Sequence, residues 1–146
     1  MKLKAVLFAI AIAGVAGAVT AADEPQVVRQ GLMKGVGQST GALVAIAKGE
    51  KPYDSAVVKA SLETISKNVK AFPDQFPPGS ETGMESEASP KIWENMDDFK
   101  AKAAKLGADV DATLAQIPAD QAGVGAALGA IGKNCGGCHE TYRLKK

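Results

Sequence analysis

The chain is poor in the side chains that carry most protein chemistry. It has one histidine and two cysteines. A single imidazole leaves no histidine pair for a proton relay. Three soft ligands fall short of a structural zinc site, which takes four, usually as two separated pairs. Lysine and arginine total 17 against 16 aspartate and glutamate. Neither sign prevails and there is no basic stripe, so nucleic acid is not an expected partner. Aromatic residues make up only 5% of the chain. There is no convincing strand pattern, no low-complexity tail and no internal repeat, which excludes solenoids and arrays.

What is present is concentrated. Both cysteines and the histidine lie in Cys135-Gly136-Gly137-Cys138-His139, seven residues from the C-terminus. C-x-x-C-H is the attachment pattern of c-type haem. The two thiols add across the haem vinyl groups and become thioethers. An offset of three residues on a helix puts both sulfurs on one side, about one turn apart. His139 then brings its imidazole under the iron as proximal ligand. A thioredoxin-like redox pair expects a βαβ context, which is missing. A plain Cys135–Cys138 disulfide in a haem-free helical protein is the remaining reading. No carboxylate pair falls beside the haem by periodicity, so an enzyme is not expected.

The N-terminus points to export. Met1 to Lys4 carries two lysines, Ala5 to Val19 is an unbroken run of apolar and small residues, and Thr20-Ala21-Ala22 offers small residues for cleavage. This is a secretory signal peptide over residues 1–22, too short for a comfortable membrane span. No cysteine is placed for lipidation. Haem c is attached outside the cytoplasm, so periplasmic location and the pentapeptide support each other. Residues 23–146 then form one domain, soluble after cleavage.

Periodicity predicts four helices. The first runs from about Pro25 to Lys48, with proline in its first turn. The second starts at the N-cap Asp54 and runs to Phe72, where Pro73 stops it. Residues 76–90 form a proline- and glycine-rich connection. The third runs from Ser89-Pro90 to about Gln116 as one continuous helix. The fourth starts near Asp120 and carries Val124, Leu128, Ile131, Cys135, Cys138 and Tyr142 on one stripe. Stripes with a period of about 3.5 residues and one long middle connection fit an antiparallel four-helix bundle. The last stripe contains both cysteines, so the haem hangs from the interior face. The porphyrin itself would fill core volume, which accounts for the few aromatics.

The first helix supplies the facing residues. Met33 offers a soft thioether to iron, or fills core. Arg29 lies one turn earlier on the same face and matches a haem propionate as a fork, or is a solvated charge. Gln30 reaches the same edge. Gly31, Gly35, Gly37 and Gly41 either let a macrocycle or another helix approach the backbone or are tolerated sequence. Arg143, four residues after His139, stacks over the proximal side of the motif and either tunes the proximal pocket or faces water.

These residues resemble the class II c-type cytochromes, comprising cytochrome c prime and its low-spin relatives. The resemblance covers nearly all of Pro25 to Arg143. It is carried by Arg29-Gln30-Gly31-Leu32-Met33-Lys34, by Ala47-Lys48-Gly49-Glu50-Lys51-Pro52-Tyr53-Asp54, by Phe76-Pro77-Pro78-Gly79-Ser80-Glu81-Thr82-Gly83, by Pro90-Lys91-Ile92-Trp93-Glu94 and by Cys135 to Arg143. It implies an all-α antiparallel four-helix bundle with one haem c held through Cys135 and Cys138. It implies His139 as proximal ligand, Met33 at the distal position, Arg29 and Gln30 near the propionates, and Phe99 against the ring. Many relatives form homodimers through the first two helices. In the low-spin branch the distal methionine ligates iron and the protein carries electrons to transient redox partners. In the prime branch iron is five-coordinate and binds nitric oxide or carbon monoxide. The Met33 segment and the Lys48–Asp54 turn look more like the low-spin branch. Lys34, Lys133, Arg143, Lys145 and Lys146 would then ring the haem edge, or be ordinary solvated charges.

Overall fold

The computed structural model describes residues 24–145. The expected signal peptide, residues 1–22, lies outside the described residues, as does Lys146. The elements are α1 (Pro25–Ala47), α2 (Ser55–Ala71), a short 3-10 turn (Phe72–Gln75), α3 (Lys91–Glu94), α4 (Met96–Ala115) and α5 (Gln121–Tyr142). The four long helices pack in a ring, α1 on α2, α2 on α4, α4 on α5 and α5 back on α1. This is the expected all-helical four-helix bundle.

Local chemistry sets the ends. Asp54 Oδ1 accepts from the Ala56 and Val57 amides at 2.8 and 3.3 Å, capping α2. Asp120 Oδ1 accepts from the Gly123 amide at 2.8 Å, capping α5. Helix α1 closes through Gly49 at φ +75°. There the Gly49 amide donates to Ile46 O and the Glu50 amide to Ala45 O, both at 2.9 Å, a Schellman closure. A Cβ at Gly49 would stand 3.2 Å from Gln121 Nε2. That same nitrogen donates to Ala47 O at 3.1 Å and ties the end of α1 to the start of α5.

Two boundaries differ from expectation. The predicted third helix is two pieces. Asn95 leaves helical geometry at φ −141°, ψ 59° and separates α3 from α4. Asn is a poor helix-interior residue, and its carbonyl here accepts from the Phe99 amide and the Tyr142 hydroxyl. The break turns buried Ile92 and half-buried Trp93 together toward an aromatic cluster. At Phe72 the α-helix gives way to the 3-10 turn, because Pro73 lacks the amide that would continue it.

The interior has two parts. An aliphatic cluster fills most of the bundle, with Leu43, Leu62, Ile65, Val110, Val124 and Ile131 at its centre. The second, at the other end, is aromatic, built on Phe76, Ile92, Phe99 and Tyr142, with Phe72 and Trp93 against it. Its rings meet edge to face, Phe76–Phe99 at 4.8 Å and Phe99–Tyr142 at 5.3 Å between centroids. The few aromatics are therefore gathered in one place, and of those described only Tyr53 packs elsewhere.

Replacing Gly49 tests the α1 closure. A left-handed residue with a Cβ costs roughly 1–2 kcal/mol, and Gln121 must also give way. Gly49→Ala is expected to lower the urea-unfolding free energy of the holoprotein by about that amount, with the haem spectrum unchanged.

Candidate haem site

The inner face of α5 changes character along its length. Val124 and Ile131 are buried, Cys135 and Cys138 are half-buried, and Tyr142 is buried again. Cys135 packs against the aliphatic cluster and Cys138 against the aromatic one. The two sulfurs thus straddle the seam between the clusters. Burial pushes both thiols above their ordinary value; at Cys138, Lys102 opposes the rise. A redox or metal-binding cysteine needs the opposite shift, toward the thiolate. A neutral thioether has no charge to desolvate, so these positions fit a thioether attachment and not a thiolate site. Among the described residues, no three histidine, cysteine, aspartate or glutamate side chains converge to hold a free ion. Gly136 and Gly137 between the cysteines leave open space beside the helix.

His139 follows on the same helix. His139 as a whole is exposed; partial desolvation of its imidazole lowers its pKa, Arg143 adds to this, and Glu87 opposes it. The neutral form that a metal requires is therefore favoured.

Met33 lies on α1, which packs against α5. It is half-buried on the inner stripe between buried Arg29 and Val36. The far ends of α1 and α5 fix its level. Ala47 meets Gln121 by a hydrogen bond, and a Cβ added at Gly125 would stand 4.0 Å from the Ala47 Cβ. Met33 lies 14 residues before Ala47, and Cys135 and His139 lie 14 residues after Gln121 and Gly125. Antiparallel helices with equal rise per residue put Met33 level with the whole C-x-x-C-H segment.

Arg29 is only 4% exposed and is not a solvated surface charge. Nη1 donates to Gln75 O at 3.3 Å and Ser80 Oγ at 3.2 Å. Nη2 donates to Ser80 O at 2.8 Å and Ser86 Oγ at 2.6 Å. Its guanidinium also lies 4.7 Å from the Phe76 ring centroid and 5.8 Å from that of Trp93. Burial lowers its pKa, and the Glu81 charge opposes that. Gln30 Nε2 donates to Met84 O at 2.6 Å. Both residues hold the 76–90 connection against α1, one turn from Met33. Phe99 is buried in the aromatic cluster against which Cys138 packs. Among the α1 glycines, only Gly35 shows a close approach: a Cβ there would stand 2.5 Å from Asn68 Nδ2 on α2.

Sequence reasoning did not single out Gln26, Ser86 or Glu87. Buried Gln26 donates to Thr82 O at 2.8 Å. Glu87 takes Arg143 Nε at 2.7 Å. These contacts join residues about fifty positions apart, where no periodicity reports them.

A four-helix bundle that carries its C-x-x-C-H segment on the last helix, level with a methionine on the first, has the make-up of a class II c-type cytochrome. The chain belongs to the cytochrome c' family, whose family model matches residues 24–143. It is 62% identical over 147 residues to a cytochrome c-556 of Agrobacterium fabrum, covering 100% of this chain and 99% of that protein. It is 39% identical over 118 residues to a cytochrome c' of Rhodopseudomonas palustris, covering 81% of this chain and 80% of that one. The solved structure of cytochrome c' from Rhodopseudomonas palustris matches with a TM-score of 0.80 at 37% identity, covering 84% of this chain and 98% of that one. The cofactor of such a protein is haem c, and the two cysteines near the C-terminus are consistent with covalent attachment.

Two outcomes follow from the site. Arg29→Leu leaves several buried acceptors unpaired. Hydrogen bonds to charged groups contribute about 1.5–3 kcal/mol each, so the variant is expected to lose about 3 kcal/mol or more in urea unfolding. Tyr142 donates to Asp98 Oδ2 at 2.6 Å. Burial first, then Asp98, pushes its phenol up to about 12. The neutral form is the one the fold prefers. Its contribution is whole below the ordinary tyrosine value near 10 and is lost as pH rises through about 12. Thermal melts of Tyr142→Phe are expected to decline less steeply than wild type across that alkaline window.

Proposed function

We propose that this protein is a periplasmic carrier of single electrons, with haem c attached through Cys135 and Cys138 and iron held between His139 and Met33. The observation that carries the reading is the placement of Met33 on the inner stripe of α1, level with Cys135 to His139 on α5. The relative at 62% identity is a cytochrome c-556, which also favours this branch. When bound, the haem supplies a reversible change between Fe(II) and Fe(III).

The chain's own residues position and insulate. Cys135 and Cys138 anchor on one helical face. His139 offers a neutral imidazole, favoured by partial desolvation and by Arg143. Met33 offers a soft thioether, which raises a haem potential relative to harder ligands. The aromatic cluster beside Cys138 keeps water from that side. Arg29 and Gln30, the expected propionate partners, stand one turn from Met33 and give their Nη and Nε2 donors to Gln75, Ser80, Ser86 and Met84, so they hold the 76–90 connection beside the site. Exposed Lys34, Lys133, Arg143 and Lys145 suit transient docking on an acidic patch of a redox partner. Export removes residues 1–22 and leaves 23–146 as the working domain. Among the described residues no helix is long and apolar enough to cross a membrane. The α1–α2 face is where a homodimer would form, by analogy with relatives.

The test is spectroscopic. The ferric wild type is expected to be low-spin, and its ferrous form to bind carbon monoxide slowly. Met33→Ala should convert it to a high-spin form that binds carbon monoxide readily, measured by electron paramagnetic resonance and optical titration. A wild type that is already high-spin and takes up carbon monoxide stoichiometrically would mean a five-coordinate gas-binding protein.

A further inference from the structure

Two adjacent residues of the 76–90 connection hold arginines from the two helices that face each other across the haem site. Ser86 Oγ accepts from Arg29 Nη2 of α1 at 2.6 Å. Glu87 Oε2 accepts from Nε of Arg143, at the end of α5, at 2.7 Å, and Arg143 Nη2 lies 2.6 Å from the same oxygen. Arg29 is one turn before Met33, and Arg143 is one turn after His139. The Arg143 amide donates to His139 O at 3.2 Å, so the residue carrying the imidazole shares a helical hydrogen bond with the clamped arginine.

The backbone reinforces the same junction. The Leu144 amide donates to Glu87 O at 2.8 Å and the Ser89 amide to Tyr142 O at 3.0 Å, pairing residues 87–89 with the chain leaving α5. On the α1 side, Gln26 holds Thr82 O and Gln30 holds Met84 O. The segment between is under local backbone constraint. Met84 and Glu85 stand at φ 48° and 53°, a conformation that side chains with a Cβ adopt at a cost of about 1 kcal/mol or more. A segment held in such a conformation persists because its surroundings determine it, and the surroundings here are α1 and α5.

We infer that Ser86 and Glu87 form a clip that sets the separation of α1 from α5 at the haem, and thereby controls how freely the distal face opens on the Met33 side. They are positioning residues: their bonds go to Arg29 and Arg143, and Glu87 reaches His139 only through its charge. The inference rests on Met33 and His139 facing the same haem. It does not require that Met33 be bonded to iron, because a wall residue is held at the same distance by the same clip.

The experiment compares carbon monoxide association with ferrous holoprotein in wild type, Glu87→Ala, Glu87→Asp and Ser86→Ala, with Gly49→Ala as a variant destabilised at the far end of the bundle. Exposed but well-aligned charge pairs contribute up to about 1 kcal/mol. Opening of the distal face, and the association rate with it, should therefore rise by about fivefold in Glu87→Ala. Ser86→Ala should move the rate in the same direction, and Glu87→Asp should restore most of the wild-type rate. Gly49→Ala should leave it unchanged. Equal rates in Glu87→Ala and Gly49→Ala, at similar losses of thermal stability, would overturn the inference, since both residues would then be merely structural. Failure of the ligation reading is seen separately, as a high-spin ferric wild type. The rate comparison among variants still decides the clip in that case.

Discussion

A thioether on one helix can face an imidazole on another only if the two helices keep their register along the whole distance between them. In this bundle that constraint falls on α1 and α5. At one end the register is fixed by Gln121 donating to Ala47. At the other end it is fixed through the 76–90 connection, which bonds to both helices. Met33 and the Cys135–His139 segment lie between these two fixed points. Helix packing is set by many dispersed contacts and tolerates small shifts. Polar ties at both ends remove that tolerance where a metal would need it removed.

Burial divides the labour within the site. Aliphatic side chains fill the end remote from the motif, and aromatic rings gather at the motif end. The cysteines sit between the two, half-buried, in surroundings that raise a thiol's pKa. Such surroundings are poor for thiolate chemistry and well suited to a neutral thioether beside a large apolar ring. Among the described residues, Arg29 carries the one buried cationic side chain. It is kept by carbonyl and hydroxyl acceptors and by the faces of Phe76 and Trp93. A buried charge without such partners would cost several kcal/mol, so the connection and α1 depend on each other.

Much of this was legible in the sequence, and the reasons are physical. Helical stripes repeat locally, so the spacing of Val58, Leu62, Ile65 and Val69 marks α2, and that of Val124, Leu128, Ile131, Cys135 and Cys138 places both cysteines on an interior face. Caps and stops are local too, which is why Asp54, Pro73 and Asp120 fall at or beside real boundaries. The break at Asn95 was not legible, because an apolar stripe running through Ile92, Met96 and Phe99 continues across it and only the tertiary pull of the aromatic cluster bends the chain there. Arg29 was legible as a residue of consequence beside Met33. Its partners Ser80 and Ser86 were not, since hydrogen bonds between residues more than fifty positions apart leave no periodic trace. Glu87 was hidden in an acidic stretch for the same reason. The glycines of α1 carried an open question that packing divides: Gly35 meets α2, whereas Gly31, Gly37 and Gly41 face open space.

The central claim is that Met33 sulfur occupies the sixth position on iron. Proton resonance of the ferrous holoprotein, with methionine methyl groups carbon-13 labelled, tests it most directly. A ligating methionine has its methyl group directly over the macrocycle, where the ring current moves its signal far upfield. One such methyl resonance is expected, assigned to Met33 by its loss in Met33→Leu, with Met84 and Met96 at ordinary positions. All methionine methyl signals at ordinary positions would contradict it.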